Sequence, residues 1–397
     1  MIKKEMKKIC IIDSYSWKHF HETFNASFLA ECMFISKEVI YFSGTSALRS
    51  LKHIMGDRDL KNITFRNIPV IDGYNKICTL LRFILSTIIN CWLLIKIDKN
   101  DIIIYNYNNV FSLPLINIIN KLIKKSIVIV CHGEFEIFNQ SFIKVYTLFW
   151  RLYLSILKKY FTCDNIRIAN GIIFLVLGDN IKNNLSKYIS NILFKKLYSI
   201  DHSYIGKPIC FENKNINSVF RFGIIGQVRK GKNISDVVLL AKNLSSEISD
   251  KKIELSIAGS VTTSKEELKL IGINVTKGKK LLTREEYISK INALDYALFF
   301  YNSNMYKFTA SGPFFDVLVA GKPIFALKNN YFEYMFKKYG DFGILFDSID
   351  DMIVLIRELV AGKRLPFFDF NNIQDQLKPE TIALQLKKVL EDAGIYR

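Results

Sequence analysis

The stretch Phe220-Arg-Phe-Gly-Ile-Ile-Gly-Gln-Val-Arg-Lys-Gly-Lys-Asn233 runs an apolar segment into a glycine turn with three cations, then into a helical pattern. Backbone N–H groups at a helix start, joined by Arg229, Lys230 and Lys232 around Gly226 and Gly231, form a place for an anion. A solvated basic loop would have the same composition. A second stretch, from Ser311 to Ala326, opens a short helix at Ser311-Gly312-Pro313, closes it at Gly321 and enters a strand after Pro323. The free N–H groups and positive dipole end of that helix suit a diphosphate. Asp316 near its start could accept hydroxyls from a sugar, or simply complement the dipole.

Two further segments carry proton-transfer chemistry. Ser126-Ile-Val-Ile-Val-Cys-His132-Gly133-Glu134 reads as a buried strand ending in His132. A lone histidine at a strand end is often only structural; its place at a carboxyl end favours function. The loop from Asp13 to Asn25 holds Trp17, His19, His21 and Glu22. Aromatic faces stack on sugars, and His or Glu can take a proton from a hydroxyl. Ordinary loop chemistry competes with that view. Asp57-Arg58-Asp59 follows a polar turn rather than an apolar strand, so it is expected to be a solvated turn. No His, Cys or carboxylate set has metal-ligand spacing, and neither a metal nor a cofactor is expected.

Gly226-x-x-x-x-Gly231-Lys232 also nearly matches the phosphate loop of nucleotide triphosphatases. Asn233 stands where that loop needs a hydroxyl for Mg²⁺. A triphosphatase therefore ranks second, with a non-catalytic sugar-nucleotide binder as a further alternative.

These residues need a scaffold, and the chain has the pattern of one. Short apolar runs recur at Lys8–Ile12, Val39–Phe42, Ile102–Tyr105, Ile127–Cys131 and Ile173–Leu177, each followed by a helical stretch. Runs apolar on both faces are buried parallel strands. The pattern restarts at Phe220–Ile225, Ile253–Ala258, Tyr296–Phe300, Pro323–Ala326 and Gly343–Phe346. Helices are expected at Ile234–Leu244, Thr283–Leu294, Phe315–Ala320 and Ile349–Leu359. The α/β chain of 397 residues thus divides into a first domain (1–205), a polar linker (206–217) and a second domain (218–378). A final helix (379–397) is expected to pack back on the first domain. Half the residues are hydrophobic and 23% are charged, which excludes a disordered chain.

The two motif stretches together resemble the nucleotide-sugar-binding domain of GT-B glycosyltransferases, especially the retaining family-4 type. In that family a Lys follows the first-strand Gly by six positions, as Lys232 follows Gly226. The family's donor helix carries Glu-Ala-x-x-x-Gly-x-Pro, similar to Asp316-Val-Leu-Val-Ala-Gly321-Lys-Pro323. Gly343 to Asp347 resembles its later Gly strand, and His132 matches a histidine that faces the transferred sugar. Two positions depart: Phe308 stands where a second acidic residue is usual, and Gln227 where Arg is usual. The resemblance implies two Rossmann-like domains facing a central cleft, and sugar transfer from a nucleoside-diphosphate donor without metal. The acceptor would be lipid-linked or an oligosaccharide, in cell-surface polysaccharide synthesis. Donor contacts would come from Gly226, Arg229, Lys230, Gly231, Lys232, Ser311, Gly312, Pro313 and Asp316. Trp17, His19 and Asn25 would line the acceptor side. Retention would use the leaving phosphate oxygen as base; inversion would need His21 or Glu22.

Charge is uneven: 29 basic against 16 acidic side chains in residues 1–215, and 26 against 21 in 216–397. The basic half is expected to face an anionic membrane rather than nucleic acid, since no recognition module is present. Residues 141–161 place Lys144, Arg151 and Lys158 on one helix face beside Phe149, Trp150 and Tyr153, a membrane-surface pattern or the solvated side of a core helix. Ile77 to Ile95 is long enough to span a bilayer, but Arg82 within it points to a helix that is buried or lies on lipid. Seven cysteines without a CxxC pair fit a reducing cytosol, and the short apolar run after Lys8 fits no signal peptide. The expected location is the inner face of the membrane, peripherally.

Overall fold

The computed structural model describes residues 8–56, 58, 60–139, 148–206, 219–228, 234–261, 265–275, 282–301 and 306–396. The chain divides into two compact units: Met1–Ile205 with Phe308–Ala310 and Leu377–Arg397, and Gly206–Lys307 with Ser311–Gln376.

The first unit is built on seven parallel strands: β1 (Ile9–Asp13), β2 (Val39–Ser43), β3 (Ile63–Asn67), β4 (Ile102–Tyr105), β5 (Ser126–Val130), β6 (Ile172–Leu177) and β7 (Leu197–Ile200). Their order is β3-β2-β1-β4-β5-β6-β7. Its helices are α1 (Glu22–Ile35), α2 (Thr45–Met55), α3 (Lys76–Lys96), α4 (Leu113–Ile123), α5 (Leu148–Thr162), α6 (Asp179–Leu185) and α7 (Asn191–Phe194). Alternate strand residues, such as Ile103, Tyr105, Ile129 and Phe174, share one core with Phe83 of α3, Ile116 of α4 and Leu157 of α5. These three helices therefore cover one face of the sheet.

The second unit has six parallel strands: β8 (Phe220–Ile225), β9 (Ile253–Ala258), β10 (Ile273–Asn274), β11 (Tyr296–Phe299), β12 (Ile324–Leu327) and β13 (Gly343–Phe346). Their order is β10-β9-β8-β11-β12-β13. The helices are α8 (Ile234–Asn243), α9 (Ser245–Ser249), α10 (Lys265–Leu270), α11 (Arg284–Asn292), α12 (Gly312–Val319), α13 (Asn330–Tyr339), α14 (Ile349–Val360) and α15 (Phe370–Leu377). The last helix, α16 (Pro379–Asp392), belongs to the first unit and packs on α1. Beyond it the Tyr396 hydroxyl donates to Ile35 O at 2.8 Å.

Every central strand coincides with an expected apolar run. Three strands escaped the sequence pattern: β3, β7 and β10. All three are sheet edges. An edge is covered on fewer sides, so its residues need not be apolar; in β3 the chain reads Ile-Thr-Phe-Arg-Asn and only Ile63 is buried. Helix α12 begins at Gly312, at the Ser311-Gly312 turn expected to open it and ahead of the Phe315–Ala320 core of the pattern, with Pro313 in its first turn. In each sheet the strand order reverses once, between β1 and β4 and between β8 and β11. Ligands of open α/β sheets bind beyond the strand ends at such points.

Candidate functional site

In the second unit the reversal point is a glycine turn set against a helix start. Gly226, directly after β8, has φ of +88°, a conformation that side chains with a Cβ rarely adopt. A Cβ there would lie 3.6 Å from Pro313 and 3.7 Å from the Tyr301 hydroxyl, so this turn sits directly on the entrance of α12. Gly259, after β9, comes closer still: a Cβ would fall 1.8 Å from Gly226 O. The two strand ends thus approach to backbone distance.

Ser311 is the N-cap of α12, but its side chain makes no capping bond. Its Oγ is wholly buried and lies near the Tyr301 hydroxyl without meeting hydrogen-bond geometry. Asp316 lies one turn on and is held by a residue that motif reading missed. Arg284 Nη2 donates to Asp316 Oδ1 at 2.6 Å, with both side chains largely buried. Tyr287 adds its hydroxyl beside the same carboxylate; burial and Asp316 together push that hydroxyl's pKa well up. Arg284 opens α11 behind a capping box, with Thr283 and Glu286 bonding each other's backbone N–H. That box was visible in sequence as a helix start, but nothing in it signalled a partner for Asp316. Gly226, Ser311, Gly312, Pro313 and Asp316 are thereby brought together. Arg229, Lys230, Gly231 and Lys232 lie outside the described residues.

In the first unit, side chains from three strand ends converge. Asp13 ends β1, is almost wholly buried, and accepts from Ser16 N–H at 3.1 Å and Asn25 Nδ2 at 2.9 Å. Asn25 in turn accepts from Asn106 Nδ2 at 2.8 Å. Asn25 is therefore a brace between β1 and β4, not an open face for an acceptor. Trp17 is 4% exposed, with Tyr74 packed edge-on at 4.4 Å and the Arg82 guanidinium 5.0 Å from its ring. Its stacking surface is taken by the protein itself. His19 stays accessible and meets Glu22 Oε2 at 2.6 Å.

His132 follows β5. Its Nε2 lies 2.9 Å from Asn106 O. A carbonyl only accepts, so Nε2 carries the proton and Nδ1 is the ring's acceptor. Burial lowers its pKa to about 4, which keeps the ring neutral near pH 7. His21, at φ of +54° before α1, places its ring 4.6 Å from that of His132. Its own pKa is pushed well down by burial, and further by His132 and His202. The backbone N–H of His132 donates to Glu134 Oε2 at 2.8 Å, and Asn108 Nδ2 donates to Glu134 Oε1 at 2.6 Å. Burial raises Glu134 to about 7. Sequence reasoning singled out His132 and His21 but not Glu134, Asn106 or Asn108, whose roles depend on the β4 and β5 ends being neighbours.

Phe308, the position where an acidic residue was usual, is completely buried against Phe138 and Tyr188, and its N–H donates to Glu136 Oε1 at 2.9 Å. The first unit also holds a cavity of about 550 Å³ lined by Thr45, Ser46, Arg49, Asn67 and Asp72, at the ends of β2 and β3. No group of three or more His, Cys, Asp or Glu among the described residues has the geometry to hold a metal ion. Of the Asp57-Arg58-Asp59 triplet only Arg58 is described, and it pairs with Glu380 at 3.7 Å.

No protein-family model matches the chain, and no curated protein does. Among solved structures it is similar to the lipopolysaccharide outer core galactosyltransferase WaaB in its apo form. The TM-score is 0.54 at 14% identity, over 97% of this chain and 99% of that one. It is similar to the pneumococcal O-GlcNAc transferase GtfA in complex with UDP and GlcNAc (TM-score 0.55, 11% identity, 98% and 99% covered). It is also similar to the N-terminal domain of a Candida albicans trehalose-6-phosphate phosphatase (TM-score 0.55, 9% identity, 98% of each covered). Likeness at such low identity speaks for the fold, and that fold is the one of GT-B glycosyltransferases, two successive Rossmann-like β/α domains.

Proposed function

We propose that the chain is a glycosyltransferase that moves a sugar from a nucleoside-diphosphate donor to a hydroxyl of a lipid-linked or oligosaccharide acceptor. The observation that carries this reading is the seat of Gly226 on Pro313 and Tyr301, beside the buried Ser311 hydroxyl and the Asp316–Arg284 pair. A backbone turn and a helix start provide N–H groups for a diphosphate. A carboxylate already fixed by an arginine accepts the hydroxyls of the attached sugar or ribose without first losing rotamer freedom. Arg229 and Lys232 add the positive charge that stabilises the leaving diphosphate as negative charge grows on it. The acceptor proton passes to the departing phosphate oxygen, so the reaction retains configuration and uses no metal. His132, neutral, offers Nδ1 to a sugar hydroxyl. The acceptor side draws on the basic first unit, and the product belongs to cell-surface polysaccharide. GtfA, whose structure holds UDP and GlcNAc, supports the donor class by likeness of fold.

Thermal shift against nucleoside diphosphates, their sugars and triphosphates, each with and without Mg²⁺, tests the reading. Nucleoside diphosphate at about 100 times its Kd should stabilise the protein by about 2.7 kcal/mol, in EDTA as well as in Mg²⁺. A response to Mg²⁺–triphosphate alone would replace this reading with a triphosphatase.

A further inference from the structure

Helix α3 is apolar on its outer face as well as on its buried one, where Phe83, Ile89, Leu93 and Leu94 pack inward. Its buried face carries Arg82, Ser86 and Asn90, at i, i+4 and i+8. Arg82 donates through Nε to Ile71 O at 2.9 Å, Ser86 Oγ accepts from Asn109 Nδ2 at 2.6 Å, and Asn90 Oδ1 accepts from Ser14 Oγ at 2.7 Å. Its outer face carries Ile77, Leu81, Ile84, Ile88, Trp92 and Ile95, at steps of three or four, each between 45% and 71% exposed. A helix on a water-facing surface carries polar and charged residues on that outer face.

Its neighbour α4 also exposes an apolar face while burying polar side chains beside Leu113 and Ile116. Asn117 and Asn120 are buried and bonded to Arg167 O and Lys125 O, whereas Leu115, Ile118 and Leu122 are exposed. Helix α5 continues the surface with Leu148 and Leu152, 84% and 54% exposed. Between α4 and α5 lies an apolar cavity of about 340 Å³, with Ile118, Ile156 and Tyr160 in its lining and Lys159 beside them. Exposed apolar surface on this scale marks an interaction site.

We propose that the joint outer face of α3, α4 and α5 is the seat of an anionic lipid bilayer, on which the first unit lies without crossing it. Charge selects this occupant. None of the three helices contains an Asp or Glu, and the exposed cations Lys76, Lys96, Lys121, Arg151, Lys158 and Lys159 lie among the apolar side chains or at the helix ends. An anionic leaflet complements such a surface, whereas a second copy would set like charges against one another. Trp92 on the face and Tyr74 at its edge are side chains that favour the depth between headgroup and acyl chain. The hydrogen bonds of Arg82, Ser86 and Asn90 hold α3 against the protein, so the helix lies on the bilayer. This surface extends the one expected from Lys144, Arg151 and Lys158 beside Phe149, Trp150 and Tyr153, of which Lys144 lies outside the described residues, and it stands whether or not the chain transfers a sugar.

The test uses the full chain with vesicles of phosphatidylcholine, alone or mixed with phosphatidylglycerol. The parent should sediment with the mixed vesicles and keep part of that binding in high salt, since the apolar contribution is unscreened. Brominated lipid should quench its fluorescence, and Trp92→Phe should remove most of that quenching. Ile84→Glu combined with Ile88→Glu should weaken partitioning by more than about tenfold. Both side chains are exposed, so melting temperature and any nucleotide response should stay those of the parent. Sedimentation of the double variant like the parent would overturn the proposal. So would a parent that ignores phosphatidylglycerol while the double variant turns a dimer into monomers, which would give the face to a second copy.

Discussion

The two units share one topology and solve the same problem with different materials. At the reversal point of the second unit the essential contacts are backbone: Gly259 against Gly226, and Gly226 against the first turn of α12. Among the described residues there, the Asp316–Arg284 pair adds charge. At the corresponding point of the first unit the contacts are side chains, a chain of Asp13, Asn25 and Asn106 with His132 and Glu134 beyond it. Backbone donors are fixed in direction and indifferent to pH, which suits an anion of constant charge. Buried side chains titrate. The first unit carries the shifted imidazoles and the strongly raised Glu31 and Glu134, whereas in the second Asp236 is raised and Glu247 lowered, so the first should depend on pH more steeply.

The difference can be broken most directly at the glycines. Gly259→Ala sets a Cβ into a carbonyl oxygen at φ of +156°, so the β8 and β9 ends must separate. A loss of about 2–4 kcal/mol in the stability of the second unit, by chemical denaturation, is the expected result, along with loss of any nucleotide response. Gly133→Ala in the first unit meets only the Thr309 side chain, at 3.3 Å, and should cost far less. Equal effects at the two glycines would erase the distinction drawn here.

Asp316→Ala comes next. It removes a carboxylate from a largely buried ion pair and leaves Arg284 without that partner. A fall in kcat/KM of about 100-fold, with a stability change of about 1 kcal/mol, would separate a substrate contact from a structural one. A stability loss with unaltered kinetics would make the pair merely architectural.

The smallest effect tests the pH contrast. Glu31 in α1 is buried, accepts from the Ser203 hydroxyl, and is raised by burial from 4.5 to about 8. The native state thus keeps a proton that the unfolded chain loses, so stability falls as pH rises from 4.5 to about 8 and the penalty is complete above that. Glu31→Gln cannot ionise. Its melting temperature should match the parent near pH 5 to within about 2 °C and exceed it at alkaline pH by about 4 °C or more. A constant offset across the range would show that Glu31 ionises normally.

Much of this molecule could be read from its residues in order. The central strands announced themselves because parallel strands covered on both faces are apolar throughout. Gly226, Ser311 and Asp316 stood out because glycine turns and helix starts have local signatures. Arg284 did not: its partner is 32 positions away, and only the placing of α11 beside α12 joins them. Trp17 and Asn25 looked like surface chemistry because residue type carries no record of burial. Three of the edge strands, β3, β7 and β10, were silent for the opposite reason, since partial exposure removes the apolar run. Helix α3 shows the division most plainly. Its length and apolarity follow from the residues alone, as does the spacing of Arg82, Ser86 and Asn90. That these three point inward follows from the tertiary structure, because Ile71 O, Asn109 and Ser14 supply hydrogen bonds that replace water for them, and Ile77, Ile84, Ile88 and Ile95 are left to face outward.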